Sequence, residues 1–247
     1  MEVALAILGI IVGGLLNRLA EGFMAGRFYR KIRCPYCDTP YRRWLALEKA
    51  LRGQIRCNSC GAPYLVRPLF VELATGLIFA LLWRHYGLSL YLTFALLYAC
   101  ALIVIIVTDL EKRLVPDKVI YPSIALALVG EMVPSCRNWV SHLIGGGIAL
   151  GLFVLFYLAG GLIVRLRGKS PAEIVAFGLG DVKLATFIGL VLGFPQGLRA
   201  LVIGVLINGT VALSIALKDL LRGQYNPFKA FPYGPALILS AFVFWLS

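Results

Sequence analysis

The chain has 247 residues, 60% of them hydrophobic, with a mean hydropathy of +0.86 and a formal net charge of +12. Soluble globular domains contain about 45–50% apolar residues, so this composition excludes that class and favours a protein embedded in the lipid bilayer. The positive charge does not predict nucleic-acid binding, because no basic helix with interleaved aromatic residues stands apart from the apolar segments.

The apolar segments predict about eight transmembrane helices, since about 20 residues are needed to cross a bilayer. In chain order we place the spans at 3–20, 69–84, 88–108, 119–133, 139–164, 178–194, 199–217 and 232–247. The predicted fold class is therefore an all-α polytopic membrane protein. It would comprise a first transmembrane helix over 1–20, a polar loop over 21–68 and a membrane core over 69–247.

The basic residues predict the orientation of these spans. Eleven Lys and Arg residues occur from Arg18 to Arg67, so the positive-inside rule places this loop in the cytoplasm and the N-terminus outside. When the sides alternate along eight spans, the opposite side receives only three of the 24 basic residues. The remaining basic residues would face the anionic inner leaflet, which explains the net charge.

Two aspartates stand at the edges of apolar segments and are the candidate catalytic residues. Asp109 ends the apolar run that begins at Tyr98, and Asp181 leads directly into the sixth span; the orientation places both on the cytoplasmic side. A charge near hydrocarbon is costly, so we interpret each aspartate as functional and as the partner of the other. Two carboxylates that share a proton are the equipment of an aspartic protease. The alternatives are a solvated loop charge for Asp109 and a helix N-cap for Asp181.

The residues around Asp181 support a functional interpretation. Gly178 and Gly180 allow a close approach of the backbone at membrane depth. Such backbone is tolerated only where it is buried in protein or lines a wet cavity. Lys183 follows Asp181 by two residues.

Four cysteines in the loop 21–68 have the spacing of a metal site. Cys34-Pro-Tyr-Cys37 is followed, after nineteen residues, by Cys57-Asn-Ser-Cys60. Each pair places two thiolates on one turn, and two pairs complete a tetrahedral four-sulfur shell for Zn²⁺. Disulfide bonds and redox chemistry are the alternatives, and the reducing cytoplasm disfavours disulfides. Four thiolates leave no open position, so the zinc would be structural.

The residues at both aspartates resemble the prepilin peptidases, also called type IV leader peptidases. Gly178-Leu-Gly-Asp181 is similar to the GxGD motif of this family, and Asp109-Leu with Leu114-Val-Pro-Asp117 is similar to its first catalytic region. The resemblance covers nearly the whole chain. Its other landmarks, in family order, are Leu15-Leu-Asn17, the two Cys pairs, Arg67 to Gly76, and Phe231 to Pro235.

This resemblance implies a membrane-embedded aspartic endopeptidase of the prokaryotic inner membrane. It would remove the basic leader of type IV prepilins or type II secretion pseudopilins on the cytoplasmic side. Asp109 and Asp181 would be the catalytic pair, and because the two share a proton we do not assign base and acid between them. The supporting residues of the catalytic motifs would be Gly178, Gly180, Lys183 and Asp117.

A second activity is a further hypothesis from the resemblance. Many family members with the cysteine loop also N-methylate the new N-terminal residue with S-adenosylmethionine. The segment from Arg42 to Arg52 replaces the Asn-Ile-Pro sequence typical of this loop, and this departure concerns methylation and not peptidase activity. Glu72 would serve the methylation site or form an ion pair with Arg67, and we favour the ion pair.

Two other functions are compatible with parts of the sequence. A small proton-coupled transporter could use the aspartates, but the chain has no inverted repeat and no midplane charge pair. A membrane scaffold could bind a partner through its zinc loop, but it would not need both aspartates on one side of the membrane.

Overall fold

The computed structural model describes residues 1–26, 33–34, 36–40, 45–53, 56–57, 59–62, 66–130, 138–166, 178–222 and 232–246. Within these residues the regular secondary structure is helical, apart from one isolated antiparallel bridge between Arg33 and Pro40. The all-α class predicted from hydropathy is confirmed. Residues 42–44, which begin the segment that departs from the family pattern, lie outside the described residues.

Nine helices occur in the described part of the chain. They are α1 (Glu2–Met24), α2 (Ala46–Leu51), α3 (Val66–Tyr86), α4 (Leu90–Lys112), α5 (Asp117–Gly130), α6 (Trp139–Leu166), α7 (Leu179–Leu192), α8 (Gln196–Leu221) and α9 (Gly234–Leu246).

Five of these helices are long and apolar enough to cross a membrane: α1, α3, α4, α6 and α8. Helices α5, α7 and α9 coincide with the other three predicted spans, but they have 14, 14 and 13 residues. A straight bilayer crossing needs about 20 residues. The chain is therefore a multi-pass membrane protein, and the count of eight spans stays a prediction.

The described residues form two compact units, Met1–Thr108 and Asp109–Ser247. In the first unit α3 packs against both α1 and α2. The backbones of α1 and α3 touch, because a Cβ atom on Gly13 would lie 2.7 Å from the Cα atom of Glu72. Small residues commonly allow such close approach between membrane helices. The predicted three-part division at residues 20 and 68 remains a prediction.

In the second unit α7 lies at the centre and packs against α5, α6, α8 and α9. Most of its side chains from Val182 to Leu192 are buried. Two glycines allow the backbones of α6 and α7 to approach closely, since a Cβ atom on Gly145 would lie 2.6 Å from the carbonyl oxygen of Gly189. The apolar surface of α7 from Val182 onward is thus covered by protein, and Asp181 lies on the first turn, just before this buried part.

Candidate functional site

Asp109 lies at the end of α4, and its side chain is turned into the protein with 4% exposure. The helix ends just beyond it, where Arg113 has a left-handed backbone (φ 53°) and donates its N–H to the Asp109 carbonyl oxygen at 2.8 Å. This arrangement is typical of a helix C-terminus. The Asp109 carboxylate accepts a 3.0 Å hydrogen bond at Oδ2 from the backbone N–H of Gly234. Asp109 therefore joins the end of α4 to the start of α9.

Gly234 fits this contact because it has no side chain. A Cβ atom at this position would lie 2.7 Å from Oδ2 of Asp109, whereas Cβ atoms in proteins essentially never come within 3.0 Å of such an atom. Pro232 and Pro235 flank the site and have no backbone N–H. In this four-residue segment only Tyr233 and Gly234 can donate from the backbone. The segment was predicted as a family landmark, but its contact with Asp109 was not predicted from the sequence.

Asp181 is the third residue of α7, after the N-cap Gly178, whose backbone is extended (φ −84°, ψ 139°). The backbone N–H of Asp181 donates to the carbonyl oxygen of Gly178 at 3.1 Å. The alternative that Asp181 is itself the N-cap is therefore wrong. A carboxylate in the first turn still interacts favourably with the positive end of the helix dipole.

The two glycines of the motif are in close contact with neighbouring groups. A Cβ atom on Gly178 would lie 3.2 Å from Oδ2 of Asp181, and one on Gly180 would lie 3.0 Å from the side chain of Val115. Val115 belongs to the segment between α4 and α5. Gly180 thus lets the start of α7 approach the segment that follows Asp109.

The structure brings the two predicted aspartates into one site. Asp109 and Asp181 belong to the same compact unit, where Gly180 packs the start of α7 against Val115, six residues after Asp109. The charge of Asp109 acts on Asp181 at this site. The positive charge of Arg113 also acts on Asp109. Two interacting carboxylates can divide the acid and base roles between them, so the pair has the chemical capacity for acid–base catalysis.

Lys183 and Asp117 form an ion pair between α7 and α5. The Nζ atom of Lys183 lies 2.5 Å from Oδ1 of Asp117 and 4.5 Å from the ring centroid of Tyr121. Tyr121 is four residues after Asp117 and therefore lies on the same face of α5. The Asp117 side chain is 65% exposed, so the pair contributes only about 0–1 kcal/mol to stability. The pair links the N-terminal part of α7 to the start of α5.

The four predicted metal ligands converge in the first unit. All four sulfur atoms of Cys34, Cys37, Cys57 and Cys60 lie within 4.8 Å of one another. The Cys34–Cys60 and Cys37–Cys57 sulfur distances are both 3.6 Å, and the cysteines are free thiols. Zn–S bonds of about 2.3 Å place tetrahedral sulfurs about 3.8 Å apart, so this set fits one Zn²⁺ ion.

The two Cys pairs form equivalent turns. After the first pair, the N–H of Asp38 donates to the Cys34 carbonyl oxygen at 2.9 Å; after the second, the N–H of Gly61 donates to that of Cys57 at 2.8 Å. Asp38 and Gly61 both have left-handed backbones, with φ of 54° and 70°. Arg33 accompanies the first turn, with its Nη1 atom 2.6 Å from Oδ2 of Asp38. The equivalence of the two turns was not predicted from the sequence, since only the second turn has a glycine.

The thiols also influence one another's ionisation. A backbone hydrogen bond at Ala62 lowers the pKa of the Cys60 thiol, but desolvation and the neighbouring thiols together raise that pKa to about 12. A bound cation would favour the thiolates and release their protons, so metal binding at this cluster is linked to pH.

Glu72 connects α3 to the cysteine-containing loop. It is fully buried, and each of its carboxylate oxygens accepts a 2.7 Å hydrogen bond, from the backbone N–H groups of Ala46 and Leu47. These N–H groups belong to the first turn of α2, where a helix has no internal partners for them. Arg67 forms an ion pair with Glu21 at 2.7 Å. The carboxylate that we expected to pair with Arg67 instead caps α2.

The chain is similar in sequence to several known proteins. A sequence model of the type IV leader peptidase family matches residues 96–213. The chain is 31% identical over 225 residues to the prepilin leader peptidase/N-methyltransferase of Legionella pneumophila, covering 86% of this chain and 71% of the relative. Proteins of the same name from Stutzerimonas stutzeri (27%; 85% and 70% covered) and Bacillus subtilis (26%; 86% and 80% covered) are also similar. No solved structure matches the chain.

Proposed function

Because this chain belongs to the type IV leader peptidase family, we propose that it cleaves the basic leader from prepilins or pseudopilins at the cytoplasmic face of the inner membrane. Asp109 and Asp181 are the proposed catalytic pair. The observation that carries the proposal is that both carboxylates lie in one unit, each at the end of an apolar helix, with the start of α7 packed against the segment that follows Asp109. Relatives named for peptidase activity favour this enzyme over a proton-coupled transporter or a zinc-loop scaffold.

In the proposed reaction the two carboxylates share the acid and base roles. The ionised carboxylate takes a proton from a water molecule, whose oxygen bonds to the scissile carbonyl carbon while the protonated partner donates to the carbonyl oxygen. The carboxyl group that took the proton from water then donates it to the leaving nitrogen, while a hydroxyl of the tetrahedral intermediate returns its proton to the other carboxylate. The C–N bond breaks, and the products are a carboxyl group and a free N-terminus. The dyad ends as it began, with one proton between two carboxylates. Gly234 contributes by fixing the Asp109 carboxylate through Oδ2.

The thiol cluster has a separate, structural role in this proposal. Cys34, Cys37, Cys57 and Cys60 would hold Zn²⁺, which organises the loop and has no open position for a water molecule. N-methylation of the new N-terminus with S-adenosylmethionine is the second proposed activity, supported by the two activities in the names of the relatives.

The test is incubation of the purified chain in detergent with a type IV prepilin, followed by mass spectrometry of the product. We expect conversion to a shorter protein that has lost its basic leader, and no conversion by Asp109→Asn or Asp181→Asn. Addition of S-adenosylmethionine should increase the product mass by one methyl group if the second activity is present. Absence of cleavage by the folded wild-type chain would refute the peptidase proposal, and an unmethylated product would refute the second activity alone.

A further inference from the structure

Asn208 is a buried polar side chain in the middle of α8, and it has no role in the reaction proposed above. It is 1% exposed and lies in a helix that is apolar enough to cross the membrane. Burial of an amide is costly unless the amide is hydrogen-bonded. The Nδ2 atom of Asn208 donates to the carbonyl oxygen of Tyr233 at 2.9 Å. Its position therefore depends on the segment just before α9.

This hydrogen bond ends on the peptide group that contacts Asp109. The carbonyl of Tyr233 and the N–H of Gly234 belong to one peptide unit, which is planar and rigid. The amide of Asn208 donates to the carbonyl oxygen of this unit, and Oδ2 of Asp109 accepts from its N–H at 3.0 Å. The side chain of Asn208 is thus linked to Asp109 through a single peptide group.

Close packing of α8 and α9 brings Asn208 to this peptide. Gly204 lies one turn before Asn208 on the same face of α8. A Cβ atom on Gly204 would lie 2.8 Å from Cδ2 of Leu237 and 2.8 Å from Oγ of Ser240, both on α9. The absence of a side chain at Gly204 therefore allows the two helices to approach closely enough for Asn208 to reach Tyr233.

We propose that Asn208 is a positioning residue for leader cleavage, which acts on Asp109 through the Tyr233–Gly234 peptide. A donor on the carbonyl polarises the peptide group and strengthens the hydrogen bond that its N–H donates. Asn208 thereby fixes the direction and strength of the contact that orients the Asp109 carboxylate. This inference rests on the proposed catalytic role of Asp109.

The test compares the kinetics of Asn208→Leu, Asn208→Gln and a control on the same helix, using the full chain and a prepilin substrate. Leucine has a similar volume but no donor, whereas glutamine keeps the amide. The control is Thr210→Val, because the Thr210 hydroxyl is exposed and donates to a carbonyl of its own helix, that of Ile207, at 2.8 Å.

We expect Asn208→Leu to lower kcat roughly tenfold, the effect of one hydrogen bond, with KM within about twofold of wild type because Asn208 positions Asp109 and not the substrate. Asn208→Gln should recover part of the lost kcat, and Thr210→Val should match wild type. If Asn208→Leu does not fold, Asn208→Thr replaces it, since a threonine hydroxyl can bond within its own helix. The same loss of kcat is expected from that variant.

Wild-type kcat in a folded variant that lacks the amide would overturn the inference. So would a loss confined to KM, or a loss of kcat that Asn208→Gln does not reduce. The result for Asp109→Asn separates this inference from the proposed function. If Asp109→Asn is inactive while Asn208→Leu is fully active, only the role of Asn208 fails; if Asp109→Asn is active, the proposed dyad fails as well.

Discussion

Asp109 depends on a backbone donor that lies 125 residues further along the chain. At the scale of single residues, the candidate active site therefore consists of two carboxylates and the groups that orient them. Gly234 orients Asp109, while Gly178 and Gly180 provide space around Asp181 and Val115. Glycine fits these three positions because a Cβ atom at any of them would come within 3.2 Å of a neighbouring atom.

Replacement of Gly234 by alanine should disturb the Asp109 carboxylate. The added Cβ atom would lie 2.7 Å from Oδ2 of Asp109, so the carboxylate or the start of α9 must move. We expect leader cleavage to fall at least about tenfold, since small misplacements of catalytic groups are costly, and stability to fall by about 1–3 kcal/mol from overpacking. Cleavage kinetics and thermal unfolding in detergent measure the two effects.

The matched control is Gly209→Ala in α8, where nothing outside the local helix lies within 4 Å of the position that a Cβ atom would take. Alanine in a helix interior is about 0.5–1 kcal/mol more favourable than glycine, so this variant should be at least as stable as wild type and fully active. Wild-type cleavage by Gly234→Ala would show that the contact with Asp109 is not required.

The two candidate catalytic aspartates were predicted from the sequence, but the contacts of the residues that orient them were not. Asp109 and Asp181 are recognisable because charges are rare beside apolar runs. The contact of Gly234 with Asp109 and that of Asn208 with Tyr233 join distant parts of the chain, and no local pattern specifies them. For Gly234 the sequence offered the landmark from Phe231 to Pro235, and for Asn208 an amide within a long apolar helix, where a buried polar group needs a partner.

At the scale of elements, hydropathy located the membrane helices but not their ends. The sixth span was predicted over 178–194, and α7 covers Leu179–Leu192, where it stops before Gly193 with its left-handed backbone (φ 69°). The last span was predicted to begin at 232, but α9 begins at Gly234, whose backbone N–H donates to Asp109. Helix α2 was missed, since six residues are too few to show a period.

The zinc site in the cysteine-containing loop can be tested by mutation of one ligand. The wild-type chain should bind one Zn²⁺ ion, and Cys37→Ser should lose it, as measured by the metal content of the purified protein. Cys100→Ser, in α4, is the control and should keep the metal. Leader cleavage should persist in Cys37→Ser, because the proposed dyad belongs to the unit Asp109–Ser247. Retention of zinc by Cys37→Ser would contradict the four-thiol site.

The same site should respond to pH. Zinc displaces protons from the thiols, and the pKa of Cys60 is raised to about 12, so zinc affinity should decrease as the pH falls. Titration of the bound metal against pH measures this dependence, and an affinity that does not change with pH would contradict thiolate ligation.

At the scale of the whole molecule, the distribution of basic residues predicts how the chain lies in the membrane. With the N-terminus outside, alkaline phosphatase fused after Gly87 should be exported and active. Fusions after Arg113 or Arg222 should be inactive, because these positions follow odd-numbered spans and face the cytoplasm. Activity after Arg113 would place Asp109 on the outer side and would contradict cytoplasmic cleavage.

The central claim is that Asp109 and Asp181 act as one catalytic pair, and prepilin cleavage by the two single asparagine variants tests it most directly. Asp219→Asn, near the end of α8, is the matched control, since it removes a carboxylate that has no proposed part in the reaction. We predict that Asp109→Asn and Asp181→Asn each lower kcat by at least about 10²-fold, while Asp219→Asn cleaves as wild type does and all three keep the wild-type unfolding temperature. Cleavage within tenfold of wild type by either folded active-site variant would contradict the pairing of Asp109 and Asp181 as catalytic residues.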